Sequence, residues 1–526
     1  MSNKTKIILW FVVILFLTPI LFFPMSPDTS IYLDSGKIIA NGGKIYVDSI
    51  DLKQPLIYYI FALIYLVLGY SELSARIFDF IWQFATIISL FYLIRKTINH
   101  KTAFISSMIY AVSYTALNYS QTMQCESFIA LPLLWLIFTR VHLNDKFSNL
   151  IISGLLMGII TGFKFTLGLI LIAVMIDIAL TSGSLKIYLK NLIIFSFASI
   201  TGLLISMSPL LDSEIFTGYS NILKYLSYYS SITSFNFDSL KIMLTNTGNF
   251  FGDRYSLLLT IGFSVGLFLM LKNLSANREN VQTIKIMNIS FLLMFFLFIT
   301  VVWEGKYWDY HFSRLYIPVI IFTSIGLSFV FDKLTDFYKS SDYYFKTILI
   351  TFVFAAFLFS PFSRWINTVR KEYYYFNDTE KYDSFYTELI SDKLIPLRIH
   401  YKELAKIIND NMRKNDFVMV ITTGSNTINY FLNTDKISRF RNAQFIFNSL
   451  NISDWQNAYL KELNKADWII IQTDDSREEI IGQNLSSYDL FKKDTKNYKY
   501  LNENFILFET VGNFHIFRRK SNVPEN

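Results

Sequence analysis

The chain has 526 residues, of which 52% are hydrophobic and only 17% are charged, against roughly 25% charged in soluble domains. With 51 Phe and 33 Tyr residues, it carries more apolar surface than a soluble core could cover, which predicts a membrane protein. The single cysteine, Cys125, excludes an intramolecular disulfide framework and a CxxC metal site. The net charge of +7 lies mostly in short loops between apolar runs, which favours membrane topology over a nucleic-acid partner as its cause.

The apolar runs predict about eleven membrane spans, although several are shorter than the roughly 20 residues that a helix needs to cross a bilayer. Lys4 and Lys6 precede the first run as in a signal peptide, but no small-residue cleavage pattern follows, so we expect this run to be retained. The run 55–70 begins with Pro55 and carries three tyrosines before its end, which is typical of a helix lying in the interface. The predicted spans are 6–24, 72–94, 102–118, 126–142, 148–163, 165–181, 191–211, 252–271, 286–303, 314–331 and 346–362.

The positive-inside rule gives this arrangement an orientation. With a cytoplasmic amino terminus and 55–70 not crossing, every inner loop carries lysine or arginine. The segments expected on the outer face are 25–71, 119–125, the turn near Lys164, 212–251, 304–313 and everything from 363 onward. We therefore expect a protein of the bacterial plasma membrane whose carboxyl-terminal part is extracytoplasmic.

Residues 363–526 differ from the rest in composition and predict a separate α/β domain after a membrane domain of residues 1–362. This part is rich in Lys, Asp, Asn and Tyr, and its apolar residues fall in short runs. The predicted elements are buried strands at 416–423 and 466–473, a helix at 400–414, and a hairpin over 505–519 that turns at Gly512-Asn513.

Ionisable residues collect on the predicted outer face, where each costs free energy at the edge of a span and is therefore a functional candidate. Asp28 follows the first span and Glu126 opens the fourth, so these two carboxylates are the catalytic candidates. A carboxylate can deprotonate an attacking group, and cations can hold a phosphate as it leaves. The candidates for binding substrate and phosphate are Lys53, Lys164, His311, Arg314 and Arg76. Further ionisable residues on this face are Asp34, Glu72, Glu304, Lys306 and Asp309.

Most of these candidates also have a simpler structural explanation. Lys164 is the hardest to explain in this way, because it interrupts an apolar stretch with no other charge nearby. The alternatives are helix capping for Asp28 and Glu126, reaching along apolar surface to headgroups for Lys53, interfacial anchoring for His311 and Arg314, and ion pairing within the protein for Arg76.

The order of these residues resembles that in the GT-C glycosyltransferases, in particular the bacterial branch related to protein O-mannosyltransferases and the lipid A aminoarabinose transferase. The resemblance covers the whole chain. It implies a polytopic α-helical membrane protein that transfers a sugar from a polyprenyl-phosphate donor with inversion, with Asp28 as the base and Lys53 on the donor phosphate. The residues that carry the resemblance are Pro27-Asp28, Tyr32, Asn41-Gly42-Gly43, Tyr46-Val47-Asp48, Lys53-Gln54-Pro55, Ser71-Glu72, Ala75-Arg76, Glu126, Gly162-Phe163-Lys164, and His311-Phe312 with Pro318.

The sequence departs from the family pattern at two positions. Many members have a second acid after the first aspartate, where this chain has Thr29. The aminoarabinose branch has a metal-binding Glu before the lysine, and Leu52 stands there in this chain, so a zinc site of that kind is not expected. No metal is strictly required, since polyprenyl phosphate is already a leaving group, and the part of a divalent metal stays open. The sugar and the acceptor, which is a lipid glycan, a cell-surface polymer or a protein, also stay open.

Two other kinds of membrane protein compete with this interpretation. A transporter or flippase of lipid-linked sugars should show paired internal repeats or broken helices in corresponding halves, and the sequence has neither. A scaffolding membrane protein would not need acids and bases concentrated on one face. The sequence therefore favours a glycosyltransferase that binds membrane lipid, a polyprenyl-phosphate sugar donor and an acceptor.

Overall fold

Helices dominate the chain as far as Asn377. The computed structural model describes residues 3–142, 147–232, 237–252, 256–276, 281–305, 307–340, 343–386, 388–390, 393–395, 397–424, 426–448, 450 and 452–522, so Lys306 lies outside the described residues. The helices of this first part are α1 (Asn3–Leu17), α2 (Pro27–Ala40), α3 (Pro55–Leu68), α4 (Glu72–Thr97), α5 (His100–Ala116), α6 (Cys125–His142), α7 (Phe147–Phe163), α8 (Ile170–Thr181), α9 (Leu185–Ser206), α10 (Ser213–Ile232), α11 (Phe237–Gly252), α12 (Leu257–Ala276), α13 (Val281–Glu304), α14 (Asp309–Ser313), α15 (Tyr316–Ser340), α16 (Tyr343–Leu358) and α17 (Pro361–Asn377), with short 3-10 helices at Thr18–Phe22, Phe165–Leu169 and Ser208–Leu211.

Several of these helices can cross a membrane. Among the described residues, α4, α6, α9, α13 and α15 are long and apolar enough, and the number rises to seven if two bent pairs each form one span. One pair is Lys6–Phe22 with Pro27–Ala40, bent by 78°, and the other is Tyr343–Leu358 with Pro361–Asn377, bent by 58°. The predicted polytopic helical architecture is thus confirmed, while the number of about eleven spans stays a prediction.

The segment between the first two predicted spans folds over the end of the helical bundle. It contains α2 and α3, which pack so closely that a Cβ at Gly36 would lie 2.5 Å from the carbonyl carbon of Phe61. On its other side α3 leaves an apolar face open, with Leu63, Leu66 and Val67 exposed. This arrangement agrees with the predicted interfacial helix, because such helices bury one face in protein and present the other to lipid.

Helices α7 and α9 pack closely against each other at glycine residues. A Cβ at Gly158 would lie 2.2 Å from the Ser199 carbonyl oxygen, and one at Gly202 would lie 2.4 Å from the Leu155 carbonyl oxygen. The two backbones therefore touch, as small residues allow in helix pairs that pack within a bilayer.

A small mixed sheet forms the core of the carboxyl-terminal part. Its strand order is β3-β4-β6-β5, with β3 and β4 parallel and the remaining neighbours antiparallel. A separate antiparallel pair joins β1 and β2. The elements are α18 (Thr379–Ser384), β1 (Glu388–Ile390), β2 (Lys393–Ile395), α19 (Leu397–Asn411), β3 (Val418–Ile421), α20 (Ile428–Phe431), α21 (Ser453–Lys465), β4 (Trp468–Gln472), α22 (Glu478–Ile481), α23 (Ser487–Lys493), α24 (Thr495–Asn504), β5 (Phe505–Val511) and β6 (Phe514–Arg519), with 3-10 helices at Ala443–Phe445 and Lys520–Asn522.

The predicted strands, helix and hairpin of this part are confirmed within a few residues. The hairpin pairs Val511 with Phe514 and turns through Gly512, whose φ is +54°. A Cβ at Gly512 would also lie 2.5 Å from Nδ1 of His400. Both the backbone angle and the close approach require glycine at this turn. The predicted domain boundary at 362/363 falls inside α17 and stays a prediction.

The carboxyl-terminal part docks on the segment that contains α2 and α3. Ile50 pairs with Phe440 in a parallel bridge, and the backbone N–H of Ile50 donates to the Arg439 carbonyl at 2.9 Å. Arg439 Nη1 donates in turn to the Val47 carbonyl at 3.0 Å. These hydrogen bonds join the sheet-containing part to the segment that carries Asp28 and Lys53.

Candidate functional site

Asp28 lies in the first turn of α2, but it does not cap that helix. The cap is Ser26, whose Oγ accepts from the Thr29 backbone N–H at 3.3 Å while Thr29 Oγ1 accepts from the Ser26 backbone N–H at 2.9 Å. The capping explanation for Asp28 is therefore wrong. Its carboxylate is partly exposed, and no hydrogen bond or ion pair holds it within the described part of the chain. Asp28 thus presents a free carboxylate at a position that the neighbouring residues fix.

Lys53 is held by its backbone and not by its side chain. Tyr46 Oη donates to the Lys53 carbonyl at 2.6 Å, and the Lys53 N–H donates to Tyr58 Oη at 3.0 Å. Tyr58 Oη donates onward to Asp51 Oδ2 at 2.7 Å. Across the described ranges, Nζ of Lys53 has no hydrogen-bond or ion-pair partner. The loop therefore fixes this lysine and leaves its ammonium group available.

Asp28 and Lys53 lie close enough to influence each other. Burial lowers the pKa of Lys53, but Tyr310, Asp28, Cys125 and Glu126 raise it, and the net pKa lies well above its usual value. Lys53 therefore stays protonated at neutral pH and adjoins a group of acidic and polar side chains.

A cluster of four buried charges forms the other half of the site. Lys164 Nζ donates to Glu126 Oε1 at 2.8 Å and to Glu304 Oε2 at 2.6 Å. Arg314 donates to Glu126 Oε1 at 2.6 Å and, from both Nη atoms, to Glu304 at 2.9 Å. We call Glu126, Lys164, Glu304 and Arg314 the four-charge cluster. Two carboxylates and two cations cancel, so the cluster has no net charge, as burial of ionised groups requires.

Four separate parts of the fold bring these charges together. Glu126 lies in the first turn of α6, Lys164 precedes the 3-10 helix at Phe165–Leu169, Glu304 ends α13, and Arg314 follows α14. Two hydroxyls complete the arrangement. Thr166 Oγ1 donates to Glu304 Oε1 at 2.5 Å, and Arg314 Nη1 donates to Thr300 Oγ1 at 2.8 Å.

His311 adjoins the four-charge cluster, with its Nε2 3.6 Å from Glu304 Oε2. Burial, and then the charge of Lys164, lowers the pKa of His311 well below its usual value, so the ring is neutral at pH 7. Its other nitrogen, Nδ1, is buried without a hydrogen-bond partner among the described residues. The imidazole is therefore a neutral, buried group beside the Glu304 carboxylate.

Tyr310 links the two halves of the site. Burial raises its pKa well above the usual value; Lys53 lowers the pKa, while Asp28, Glu126 and Glu304 raise it. Its backbone N–H donates to Gln121 Oε1 at 3.1 Å, which ties α14 to the start of α6. Nothing in the sequence pointed to this residue beyond its position next to His311.

Arg76 is fully buried and has partners from the protein itself. Nε donates to the Phe23 carbonyl at 3.1 Å, Nη2 donates to the Pro24 carbonyl at 2.5 Å, and Nη1 donates to Thr122 Oγ1 at 2.9 Å. A further bond from Nη2 reaches the Tyr119 carbonyl at 3.4 Å. Arg76 therefore fixes the short connection that leads from the first helix into α2, and it lies apart from the four-charge cluster.

The structure thus brings all seven predicted site residues to one end of the bundle, with Arg76 bound to the connections that precede Asp28 and Glu126. Asp28 and Lys53 form one half, and Glu126, Lys164, His311 and Arg314 belong to the other. Glu304 is the main addition, because it stood only among the further ionisable residues of this face in the sequence, although it pairs with both Lys164 and Arg314. The feature of the sequence that could have indicated Glu304 is an acidic residue at the end of an apolar helix. The role of each residue stays a prediction.

One set of side chains could serve as metal ligands. Ligand atoms of Glu126, Glu304 and His311 all lie within 4.8 Å of one another. Two carboxylates and an imidazole are ligands that zinc and other divalent metals accept. Both carboxylates already bind Lys164, however, so these residues do not fit a metal ion in this arrangement.

Comparison with protein families gives one match. A family model described as dolichyl-phosphate-mannose-protein mannosyltransferase matches residues 53–211. This range includes Lys53, Arg76, Glu126 and Lys164 but not Asp28. No curated protein matches the sequence.

Solved structures share the fold at low sequence identity. ArnT from Cupriavidus metallidurans bound to undecaprenyl phosphate is 10% identical with a TM-score of 0.57, and the match covers 100% of both chains. The apo oligosaccharyltransferase of Archaeoglobus fulgidus is 12% identical with a TM-score of 0.51, over 90% of this chain and 70% of that one. The oligosaccharyltransferase AglB from the same organism, in complex with an inhibitory peptide and a dolichol-phosphate, is 12% identical with a TM-score of 0.50, over 100% and 76%.

The fold and the family match together define the class of this protein. The chain is a membrane glycosyltransferase with the GT-C fold. The predicted family resemblance, fold class and enzyme class are confirmed, and the matches support the enzyme over the transporter alternative.

Proposed function

We propose that this glycosyltransferase moves a sugar from a polyprenyl-phosphate donor to an acceptor on the outer face of the bacterial plasma membrane, with inversion at the anomeric carbon. One observation carries the proposal. Asp28 and Lys53 lie near each other, and neither side chain has a hydrogen-bond or ion-pair partner in the described ranges, while the charges of the four-charge cluster are all paired. A partly buried charge without a partner is costly, so a free acid and a free cation together indicate a site that awaits its ligand.

The chemistry needs only these two groups at the reacting atoms. The Asp28 carboxylate accepts the proton of the acceptor as the acceptor atom bonds to the anomeric carbon. On the opposite side of that carbon the bond to the phosphate oxygen breaks, and polyprenyl phosphate leaves with the electron pair. The Lys53 ammonium stabilises the charge that develops on that oxygen. A single displacement of this kind inverts the configuration.

The remaining site residues bind and position the substrates. We assign the contacts with the sugar and acceptor hydroxyls to Glu126, which lies near Lys53, and to His311, which adjoins the four-charge cluster. Lys164 and Arg314 hold Glu126 in its ionised state. Arg76 positions Asp28 through the connection into α2.

The lipid part of the donor has a suitable surface next to Lys53. Helix α3 starts two residues after Lys53, and its exposed apolar residues, Leu63, Leu66, Val67 and Leu68, lie in its second half. A prenyl chain lying on this face would place its phosphate beside the lysine. Matching structures named as bound to undecaprenyl phosphate or dolichol-phosphate support a lipid donor of this class. For the acceptor, a lipid glycan, a cell-surface polymer and a protein remain the candidates.

The test is sugar transfer by membranes that contain the wild-type chain, Asp28→Asn or Asp309→Asn, supplied with a panel of labelled polyprenyl-phosphate sugars. Asp309 is an exposed aspartate at the start of α14 and serves as the matched control. We expect transfer by the wild type and the control, and a loss of about 100-fold or more in Asp28→Asn, as for other general bases. Equal transfer by all three at equal protein would remove Asp28 as the base.

A further inference from the structure

Three side chains of kinds that bind metal ions surround Lys164. Ligand atoms of Glu126, Glu304 and His311, the last beside the four-charge cluster, lie within 4.8 Å of one another, and carboxylates and imidazole are ligands that zinc accepts. Lys164 Nζ lies among them, 2.8 Å from Glu126 and 2.6 Å from Glu304. Two of its three N–H donors therefore face carboxylate oxygens that would otherwise face a cation.

The position of Lys164 is fixed by the backbone on both sides. Its N–H donates to the Thr161 carbonyl at 3.1 Å, and its carbonyl accepts from the Leu167 N–H at 3.0 Å. Only 17% of the side chain is exposed, so the ammonium has little water to move into. These bonds keep Lys164 beside the two glutamates.

The charges of the cluster leave no place for a divalent ion. Lys164 and Arg314 already balance Glu126 and Glu304, and Arg314 has no exposed side-chain surface through which it could leave. A divalent ion added to this neutral group would bring two uncompensated positive charges into a buried site, next to two cations. Without Lys164 the group would have a net charge of −1 and an open position between three ligands.

We propose that the Lys164 ammonium takes the place of a divalent cation, so that this chain binds no metal among these residues and transfers sugar without one. Removal of Lys164 converts the same residues into a metal site with Glu126, Glu304 and His311 as ligands. That transfer needs no metal rests on the proposed function, whereas the absence of bound metal does not.

The two glutamates give the structural reason for a lysine here. A positive charge in addition to Arg314 holds Glu126 and Glu304 ionised side by side, because two like charges in contact otherwise drive one of them to protonate. Lys164 supplies that charge from within the chain.

The experiment measures bound metal in the full-length protein in lipid nanodiscs. Wild type, Lys164→Met, Lys164→Gln and the matched control Lys53→Met are stripped with chelator, equilibrated with Zn²⁺ or Mn²⁺, desalted and analysed by mass spectrometry for metal per chain. Lys53→Met removes a lysine from the same site without opening the three ligands. We expect no stoichiometric metal in wild type or Lys53→Met, and about one ion per chain in the Lys164 variants, as for a three-ligand site. Adding Glu304→Gln to Lys164→Met should abolish that binding.

Two results would overturn the proposal. One is about one ion per wild-type chain that disappears in Glu304→Gln, since lysine and metal would then coexist. The other is that both Lys164 variants, with native size-exclusion profiles, bind no metal. The metal content of the wild type is measured on the native chain and so does not depend on the folding of a variant. Wild-type transfer should also survive chelation unchanged, and transfer lost with chelator and restored by Zn²⁺ or Mn²⁺ would contradict the statement about transfer alone. If no sugar is transferred under any condition, the metal measurements still decide the rest, so the two proposals fail separately.

Discussion

Arg398 donates from Nη1 and Nη2 to the two carboxylate oxygens of Glu72, both at 2.8 Å, and joins the carboxyl-terminal part of the chain to the start of α4. The same Glu72 carboxylate accepts from the Met25 backbone N–H at 2.9 Å, three residues before Asp28. Arg398 Nε donates at 2.8 Å to Asp383. One arginine of the sheet-containing part thus supports the connection that positions the proposed base.

This contact predicts that the carboxyl-terminal part stabilises the membrane part. Arg398→Met should lower the free energy of unfolding by about 3 kcal/mol, because removal of one partner leaves a largely buried carboxylate without compensation. The measurement is thermal unfolding of the purified protein in detergent. Lys402→Met is the control, since its 40% exposed side chain pairs with Asp383 and an exposed pair contributes about 1 kcal/mol or less. Equal losses in the two variants would show that the Arg398 contact has no special part in docking.

A second prediction distinguishes Glu304, which pairs with two cations, from Asp28, the proposed base. Glu304→Gln should reduce sugar transfer and also lower the free energy of unfolding by about 3 kcal/mol, because it leaves Lys164 and Arg314 with one carboxylate between them. Asp28→Asn should reduce transfer while changing stability by about 0.5 kcal/mol or less, because its carboxylate has no protein partner among the described residues. Transfer assays and thermal unfolding on the same preparations check both. Comparable destabilisation by the two variants would contradict the picture of Asp28 as an unpaired group.

The elements that the sequence predicted well depend on local patterns. The hairpin around Gly512 follows from a turn dipeptide between two apolar runs, and the helix α3 follows from Pro55 and a continuous apolar run. The capping of α2 shows the limit of the same reasoning. Both Ser26 and Asp28 suit a cap, and only the fold shows that Ser26 takes it and leaves Asp28 free.

The pairing of charges could not be predicted, because it depends on contacts between distant parts of the chain. Glu304 lies 140 residues from Lys164 in sequence, and no local pattern indicates that the two meet. Arg76 looked like a phosphate ligand from its position on the same face. In the structure Arg76 donates to backbone carbonyls such as that of Pro24, which no side-chain pattern indicates. Its Nη1 also lies 3.8 Å from Oδ2 of Asp79, one turn further along α4, in agreement with the alternative of ion pairing within the protein.

A third prediction concerns donor binding by Lys53. Lys53→Met should raise the apparent KM for the polyprenyl-phosphate sugar by about tenfold to a hundredfold, the effect of losing a charge-assisted hydrogen bond to phosphate. The KM for the acceptor should change much less. Steady-state kinetics with each substrate varied in turn measures both, and Lys53→Arg should recover part of the donor affinity. Lys44→Met is the control, because Lys44 lies nearby in sequence but pairs with Asp212 at the surface. An unchanged donor KM in Lys53→Met would remove Lys53 from the phosphate site.

The last prediction tests which side of the membrane the site faces. In a chain whose buried Cys125 is replaced by alanine, single cysteines are placed at Gly183, in the exposed turn between α8 and α9, and at Asn411, exposed at the end of α19. A Cβ at Gly183 meets no atom within 4 Å, so the substitution fits there. With the basic loops inside, a membrane-impermeant maleimide should label intact cells at 411 and reach 183 only after permeabilisation. The positive-inside assignment depends on 55–70 not crossing, because one further crossing would exchange the sides of every later loop. Labelling at 183 in intact cells, with 411 protected, would therefore place the carboxyl-terminal part in the cytoplasm and exclude transfer on the outer face.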